Sequence, residues 1–128
     1  MKINVITAPD YVYTEGVNML LVHPSDELLK TLQDNVLSQS DVDVNIYIQT
    51  NSDNIEWLLN TYKMADVCII DVDNVVPVIR DAVGYFLANA KTYWLTNGEN
   101  IVYNNINNNR IMNIEDITNI GGLFVKTT

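Results

Sequence analysis

Cysteine is almost absent from this chain of 128 residues, and Cys68, the only one, cannot form an internal disulfide. Its neighbours are apolar or acidic, whereas a reactive thiol is usually activated by nearby cations. We therefore expect Cys68 to be a small buried core residue. The lack of disulfides suits a reducing compartment, so we expect a cytoplasmic protein.

Long hydrophobic runs are missing as well, since no segment approaches the roughly 20 apolar residues that span a bilayer. The first residues, Met1–Val5, lack the apolar region of a signal peptide. We therefore expect no association with a membrane. At this length, with 48% hydrophobic residues, the composition predicts a single domain over residues 1–128 that needs no disulfide or metal.

Basic residues are few: 7 lysines and arginines face 16 acidic residues, for a formal net charge of −9. Such a chain has no basic stripe to neutralise a phosphate backbone, which argues against direct binding of nucleic acid. A negative surface fits a protein partner with a basic surface instead, although solubility alone would also explain it. The composition is also compatible with a homo-oligomer.

Glycine occurs only five times, and the glycine-rich loops that hold nucleotide phosphates are absent. The motifs G-x-S-x-G, C-x-x-C and H-E-x-x-H are absent too. His23 is the only histidine, so no cluster of imidazoles can bind zinc. We therefore expect neither a cofactor nor a metal site.

What the sequence does contain is an alternation of strand and helix patterns. Apolar runs and period-two alternation predict strands, and apolar stripes at helical spacing predict helices. The strands are expected over 2–7, 17–23, 42–48, 67–72 and 92–96, and the helices over 25–39, with Ser25 as the N-cap, from 52 or 53, and over 75–90. In the C-terminal tail we expect a short strand over 101–103, a short helix over 113–120 and a final strand over 123–126. This order predicts an open, mostly parallel, flavodoxin-like sheet with helices on both faces, an extra N-terminal strand and an irregular C-terminal tail.

The same patterns predict which side chains form the core. Leu32, Leu58, Ile69 and Phe86 should be almost fully buried. Trp57 lies off the apolar stripe of its helix, so we expect it to be partly exposed. The strand over 42–48 alternates apolar and polar residues, which predicts one wetter face and a place nearer the sheet edge.

Ligands of open α/β sheets bind at the carboxyl ends of the strands, where the strand order reverses. That rule makes five residues at or just past strand ends candidates for a site: His23, Thr50, Asp71, Asp73 and Thr96. Asn74 joins the binding candidates because it follows Asp73 in the same cluster. Asp71 and Asp73 could bind a divalent metal, hold a ribose hydroxyl or provide a nucleophile. Capping of the next helix by Asp73 or Asn74 is the structural alternative. His23 could be a general base or simply bond to the backbone at a strand end.

Two stretches resemble the nucleoside 2-deoxyribosyltransferase-like family. They are Ala65–Asp71, a strand that ends in aspartate, and Gly84–Lys91, which is similar to a helical motif of that family. The resemblance implies transfer or cleavage of an N-glycosidic bond. The family's nucleophilic glutamate falls on Ala82, so the neighbouring Asp81 is the candidate catalytic residue of this interpretation.

Leu20–Leu29 is similar to the opening of response-regulator receiver domains. In that resemblance Asp71 stands for the phosphoacceptor, Thr96 for the switch hydroxyl and Lys126 for the conserved lysine. His23 and Pro24 replace the acidic pair that binds metal, which implies a degenerate receiver without normal phosphotransfer.

Taken together, the missing catalytic signatures favour a non-catalytic, acidic protein-interaction module. The alternative is a deoxyribosyltransferase-like enzyme, or an N-glycosidic-bond hydrolase, acting on a nucleoside or nucleotide. There Asp71 and Asp73 would hold the sugar and Asp81 would attack it. Asparagine is the commonest residue, a bias typical of AT-rich genomes, including those of many phages. The bias is a hint of phage origin, and a phage-encoded protein would act in the host cytoplasm.

Overall fold

The computed structural model describes residues 3–7, 10, 15–35, 37, 42–49 and 55–71, and the backbone of residues 92–95 and 111–112. These residues form six strands and two helices. In chain order they are β1 (Ile3–Thr7), β2 (Val17–Val22), α1 (Asp26–Asn35), β3 (Val44–Gln49), α2 (Ile55–Met64), β4 (Val67–Asp71), β5 (Thr92–Leu95) and β6 (Ile111–Met112).

The six strands form one sheet in the order β1-β3-β2-β4-β5-β6, and every neighbouring pair is parallel. Without β1, this is the 2-1-3-4-5 order of flavodoxin-like sheets. The predicted fold class is therefore confirmed, and the extra N-terminal strand extends the sheet beyond β3. The apolar strands β2 and β4 lie side by side in its centre, because the chain crosses from β3 over β2 to reach β4.

Helix α1 packs on one face of this sheet. Its Leu28 and Leu32 belong to a buried cluster with alternate residues of β2, β3 and β4, such as Met19, Ile46 and Ile69. Of the residues predicted to form the core, Leu32, Leu58 and Ile69 are buried as expected, and Phe86 lies outside the described residues. Cys68 is also buried, as predicted.

Helix α1 begins where the sequence places its cap. The Ser25 hydroxyl accepts a hydrogen bond from the Leu28 N–H at 3.1 Å, which satisfies one of the free donors of the first turn. Asp26 and Glu27 follow in that turn, where the helix dipole favours negative charge. The structure describes this helix to Asn35. Of the remaining residues of the predicted helix, Leu37 is described and buried, and residues 36, 38 and 39 lie outside the described ranges.

The predicted exposure of Trp57 is wrong, because α2 is rotated so that this side chain faces the sheet. Trp57 is only 2% exposed and its ring packs against Tyr47 of β3, with centroids 6.3 Å apart. The indole N–H donates to the Asp10 carbonyl at 3.0 Å, so its polar atom is satisfied although the ring is buried. The buried residues of α2 are Trp57, Leu58, Thr61 and Tyr62.

The prediction that one face of β3 is more exposed to water is also wrong, since all six residues of the strand are buried. β1 pairs along the edge of β3 that would otherwise be open, and the Trp57 ring packs against Tyr47. The polar residues of this strand, Asn45 and Gln49, are fully buried.

A row of three asparagines crosses the sheet through Asn45. Asn4 of β1 donates its side-chain amide to the Asn45 Oδ1 at 2.8 Å, and Asn45 donates to the Asn18 Oδ1 of β2 at 3.0 Å. Asn18 donates in turn to the Met64 carbonyl at the end of α2, at 3.3 Å. Asn4, Asn45 and Asn18 are direct partners in the strand register, so shifting one strand by a single residue would break the row.

Gly16, just before β2, has a backbone conformation that other residues rarely adopt. Its φ angle is +127°, and a Cβ added here would overlap the Asp43 carbonyl oxygen, which accepts a hydrogen bond from the Val17 N–H at 2.8 Å.

We expect Gly16→Ala to lower the free energy of unfolding by about 2 kcal/mol or more, measured by urea denaturation. The exposed neighbour gives the control, since Glu15→Ala should stay within about 0.5 kcal/mol of wild type. Equal effects of the two changes would contradict this account.

Several predicted elements lie outside the described residues. They are the helix over 75–90, the short strand over 101–103, the helix from 113 and the strand over 123–126. The short strand β6, by contrast, was not predicted from the sequence. Among the described residues, no helix is long and apolar enough to cross a membrane.

Candidate functional site

The strand order reverses between β2 and β4, because the chain leaves β2 towards β3 on one side and returns to β4 on the other. The carboxyl ends of these two strands therefore flank the position where open α/β sheets bind ligands. Val22 ends β2 and Asp71 ends β4. The structure thus brings two of the predicted site residues, His23 and Asp71, to the same edge of the sheet.

His23 occupies the sharp turn between β2 and α1. Its φ angle is +51°, in the left-handed region, which is uncommon for a residue other than glycine. Its main-chain N–H donates to the Gln49 carbonyl of β3 at 2.7 Å, which attaches the turn to that strand. The side chain is buried, and burial lowers the pKa of the imidazole below its ordinary value, because the protonated ring would lose hydration. Burial therefore favours the neutral form of the ring.

Asp71, the last residue of β4, attaches the turn between β2 and α1 to that strand, on the side opposite β3. The side chain is only 5% exposed, and its Oδ2 accepts a hydrogen bond from the Ser25 main-chain N–H at 3.0 Å. A hydrogen bond to a carboxylate is stronger than one between neutral groups. Asp71 therefore fixes the residue that caps α1, and this gives the carboxylate a structural role at the switch point.

The turn after β2 is thus bridged to both neighbouring strands, through Gln49 on one side and Asp71 on the other. A nucleophile or a metal ligand needs an oxygen that can reach the substrate or ion. Asp71 is buried, and its Oδ2 already accepts a hydrogen bond from the Ser25 main-chain N–H. In the described part of the chain, no three histidine, cysteine, aspartate or glutamate residues are grouped so that they could hold a metal ion.

Exposed carboxylates surround this edge of the sheet. Asp26 and Glu27 lie in the first turn of α1, and Glu56 lies in the first turn of α2. Asp10 follows β1, and its N–H donates to the Thr7 carbonyl at 2.9 Å. All four residues are exposed, and we call them the acidic rim: Asp10, Asp26, Glu27 and Glu56.

Described lysines do little to neutralise this rim. Lys63 lies in the last turn of α2, at the opposite edge of the sheet. Lys30 lies one turn into α1 and pairs with Asp34 at 2.8 Å. Sequence reasoning missed the rim because each of its carboxylates looks like an ordinary surface residue or helix cap. Only the parallel arrangement of the strands brings them to one edge.

The remaining predicted site residues lie outside the described residues: Thr50, Asp73, Asn74, Asp81 and Thr96, together with Lys126 from the receiver resemblance. The bonding partners Ser25 and Gln49 were not predicted as part of the site. Ser25 was recognised only as a helix cap, and no sequence pattern shows that its N–H meets Asp71. Both family resemblances therefore stay predictions. No protein-family model, curated protein or solved structure matches this chain.

Proposed function

We propose that this chain is a non-catalytic interaction module that binds a protein with a basic surface. The observation that supports this most directly is the bond between Asp71 and the Ser25 N–H at the switch point. A carboxylate that stabilises the fold in this way is poorly placed to hold a sugar, the role that the enzyme alternative gives it, because such binding would compete with the contact that holds the turn after β2.

The acidic rim supports the choice of partner. It places four exposed carboxylates at the edge where α/β proteins usually make their functional contacts. The formal net charge of −9 would also accelerate encounters with a positively charged surface. Such attraction is screened over about 10 Å at 0.1 M salt, so binding should weaken as salt rises. The proposal includes action in the cytoplasm, that of the host if the protein is phage-encoded.

An enzyme acting on an N-glycosidic bond remains the second candidate. Asp71 ends the central strand β4 at the switch point, and a sugar hydroxyl could bond there to a carboxylate oxygen. In that interpretation Asp73 would help to hold the sugar and Asp81 would attack the anomeric carbon. The chemistry then requires the Asp71 charge, whereas the module requires only its hydrogen bond.

Removing charges from the rim should weaken partner binding. We expect Glu27→Gln/Glu56→Gln to reduce capture of a basic partner from a lysate of the source cells by about threefold or more, because each exposed pair contributes about 0.2–1 kcal/mol. The bound protein should elute as salt rises. The matched control Glu15→Gln/Asp34→Asn removes two charges away from the rim and should bind like wild type. Quantitative mass spectrometry of the eluates measures both effects.

Two outcomes of this experiment would contradict the module. One is capture that is insensitive to salt and equal for the rim and control variants. The other is catalysis: wild-type protein should release no base from nucleosides or nucleotides. Base release that disappears in Asp71→Asn, while its thermal melt shows a folded protein, would establish the enzyme instead.

A further inference from the structure

The outer strand β1 differs from the rest of the described surface. It lies at the end of the strand order, and β3 is its one strand neighbour among the described residues. Its five residues, Ile3–Thr7, include no charge, and Ile3 and Val5 are 40% and 61% exposed. Natural edge strands are usually protected by charges, proline or a bulge, and β1 has none of these in its sequence.

An apolar groove of about 370 Å³ lies beside this strand. It forms because α1 covers β2 and β3 on this face but leaves Ile3 and Val5 of β1 uncovered. Its lining includes Ile3, Val5, Ile46, Ile48, Leu29 and Leu32. The groove therefore continues the apolar surface of β1 inwards, towards the helix.

We propose that β1 is a dimer interface, in which it pairs antiparallel with β1 of a second copy across a twofold axis beside Val5. One continuous sheet then runs through both copies, and the outward-facing main-chain N–H and C=O groups of the two β1 strands form hydrogen bonds with each other. The axis sets Val5 opposite Val5 and Ile3 opposite Thr7. Because opposite residues project from the same face of a sheet, the two apolar grooves adjoin each other.

The lack of charge on β1 favours a second copy of this chain, rather than a basic protein, as the partner at this edge. A basic partner is drawn to carboxylates, and Ile3–Thr7 contains none. The surface that complements an uncharged, half-apolar strand is another such strand, and this chain supplies it. In a molecule with a net charge of −9, an uncharged strand is also where two copies approach with the least repulsion. Dimerisation should therefore strengthen as salt screens the remaining charges, the opposite of the response expected for a basic partner.

Light scattering over a range of protein and salt concentrations tests this interface. The wild-type mass should rise from the 14.5 kDa of one chain towards twice that value, at lower protein concentration when salt is high. Val5→Lys should raise the dimer dissociation constant at least tenfold, because the twofold axis sets two lysines face to face. Asn60→Lys adds the same charge at an exposed position of α2 and should dimerise like wild type. A wild-type mass that stays at one chain, or equal effects of the two variants, would overturn the proposal.

Cross-linking tests the geometry without adding charge. Directly opposite Cβ atoms in an antiparallel pair lie about 4.5–5.5 Å apart, so Val5→Cys should join two copies rapidly through a short bis-maleimide. Asn60→Cys places a thiol at an exposed position away from the interface, and the native Cys68 is buried. Cross-linking of Val5→Cys no faster than that of Asn60→Cys would overturn the proposal even if wild-type protein dimerises.

Discussion

Trp57→Ala should lower the free energy of unfolding by about 3–5 kcal/mol, because it leaves a large cavity between α2 and β3. The indole is almost fully buried against Tyr47 and donates to the Asp10 carbonyl. Trp57→Phe keeps an aromatic ring but loses the donor. Its cost should be only about 1–2 kcal/mol, since Asp10 is exposed and water can replace the indole N–H. Urea denaturation measures both changes.

A double-mutant cycle isolates the contact between the two rings. Combining Trp57→Ala with Tyr47→Leu should reveal a coupling energy of about 0.5–1.5 kcal/mol, as expected for packed aromatic pairs. The control is Glu56→Ala, at the exposed preceding residue of the same helix, which should cost less than about 0.5 kcal/mol. A loss below about 1 kcal/mol for Trp57→Ala would show that this helix face does not lie on the sheet.

Asn45→Asp should destabilise the protein by about 3–5 kcal/mol at pH 7, since it buries a charge without a cation to pair with it. Asn45 is fully buried, and its amide donates to the Asn18 Oδ1. A carboxylate there would face that oxygen as a second acceptor, and repulsion would replace the hydrogen bond. Chemical denaturation at several pH values measures the loss.

The pH dependence of this variant has a defined sign. Burial and the facing acceptor should raise the pKa of the introduced carboxyl in the folded state above its unfolded value of about 3.9. Below about pH 4 the protonated carboxyl can donate to Asn18, so the difference from wild type is then smallest. It grows as pH rises through the folded-state pKa, because the unfolded chain releases the proton more easily.

Asn60→Asp provides the matched control, because Asn60 is exposed on α2 and lies outside the asparagine row. It should cost little at any pH. If Asn45→Asp were as stable as this control at neutral pH, the asparagine row would not be the buried network described above.

Local patterns in the sequence were sufficient to predict the elements in the centre of the sheet. The apolar runs of β2 and β4 indicate strands buried on both faces, and Ser25 marks the start of α1, because strand burial and helix capping depend on neighbouring residues. The recurrence of asparagine between apolar residues at positions 4, 18 and 45 was also visible. It could have suggested that three strands align, but not that the side chains bond to each other.

The tertiary structure decided what covers each face and which groups meet at the site. Asp71 and the Ser25 N–H are separated by 46 positions in the chain, and Trp57 and the Asp10 carbonyl by 47, so no local pattern connects them. Helical periodicity located an apolar stripe on α2, but the docking against Tyr47 determined its rotation and buried Trp57. The charge of Asp71 and its place at the end of an apolar strand were evident from the sequence alone. Its structural role followed only from the parallel pairing of β2 with β4, which brings the start of α1 to that carboxylate.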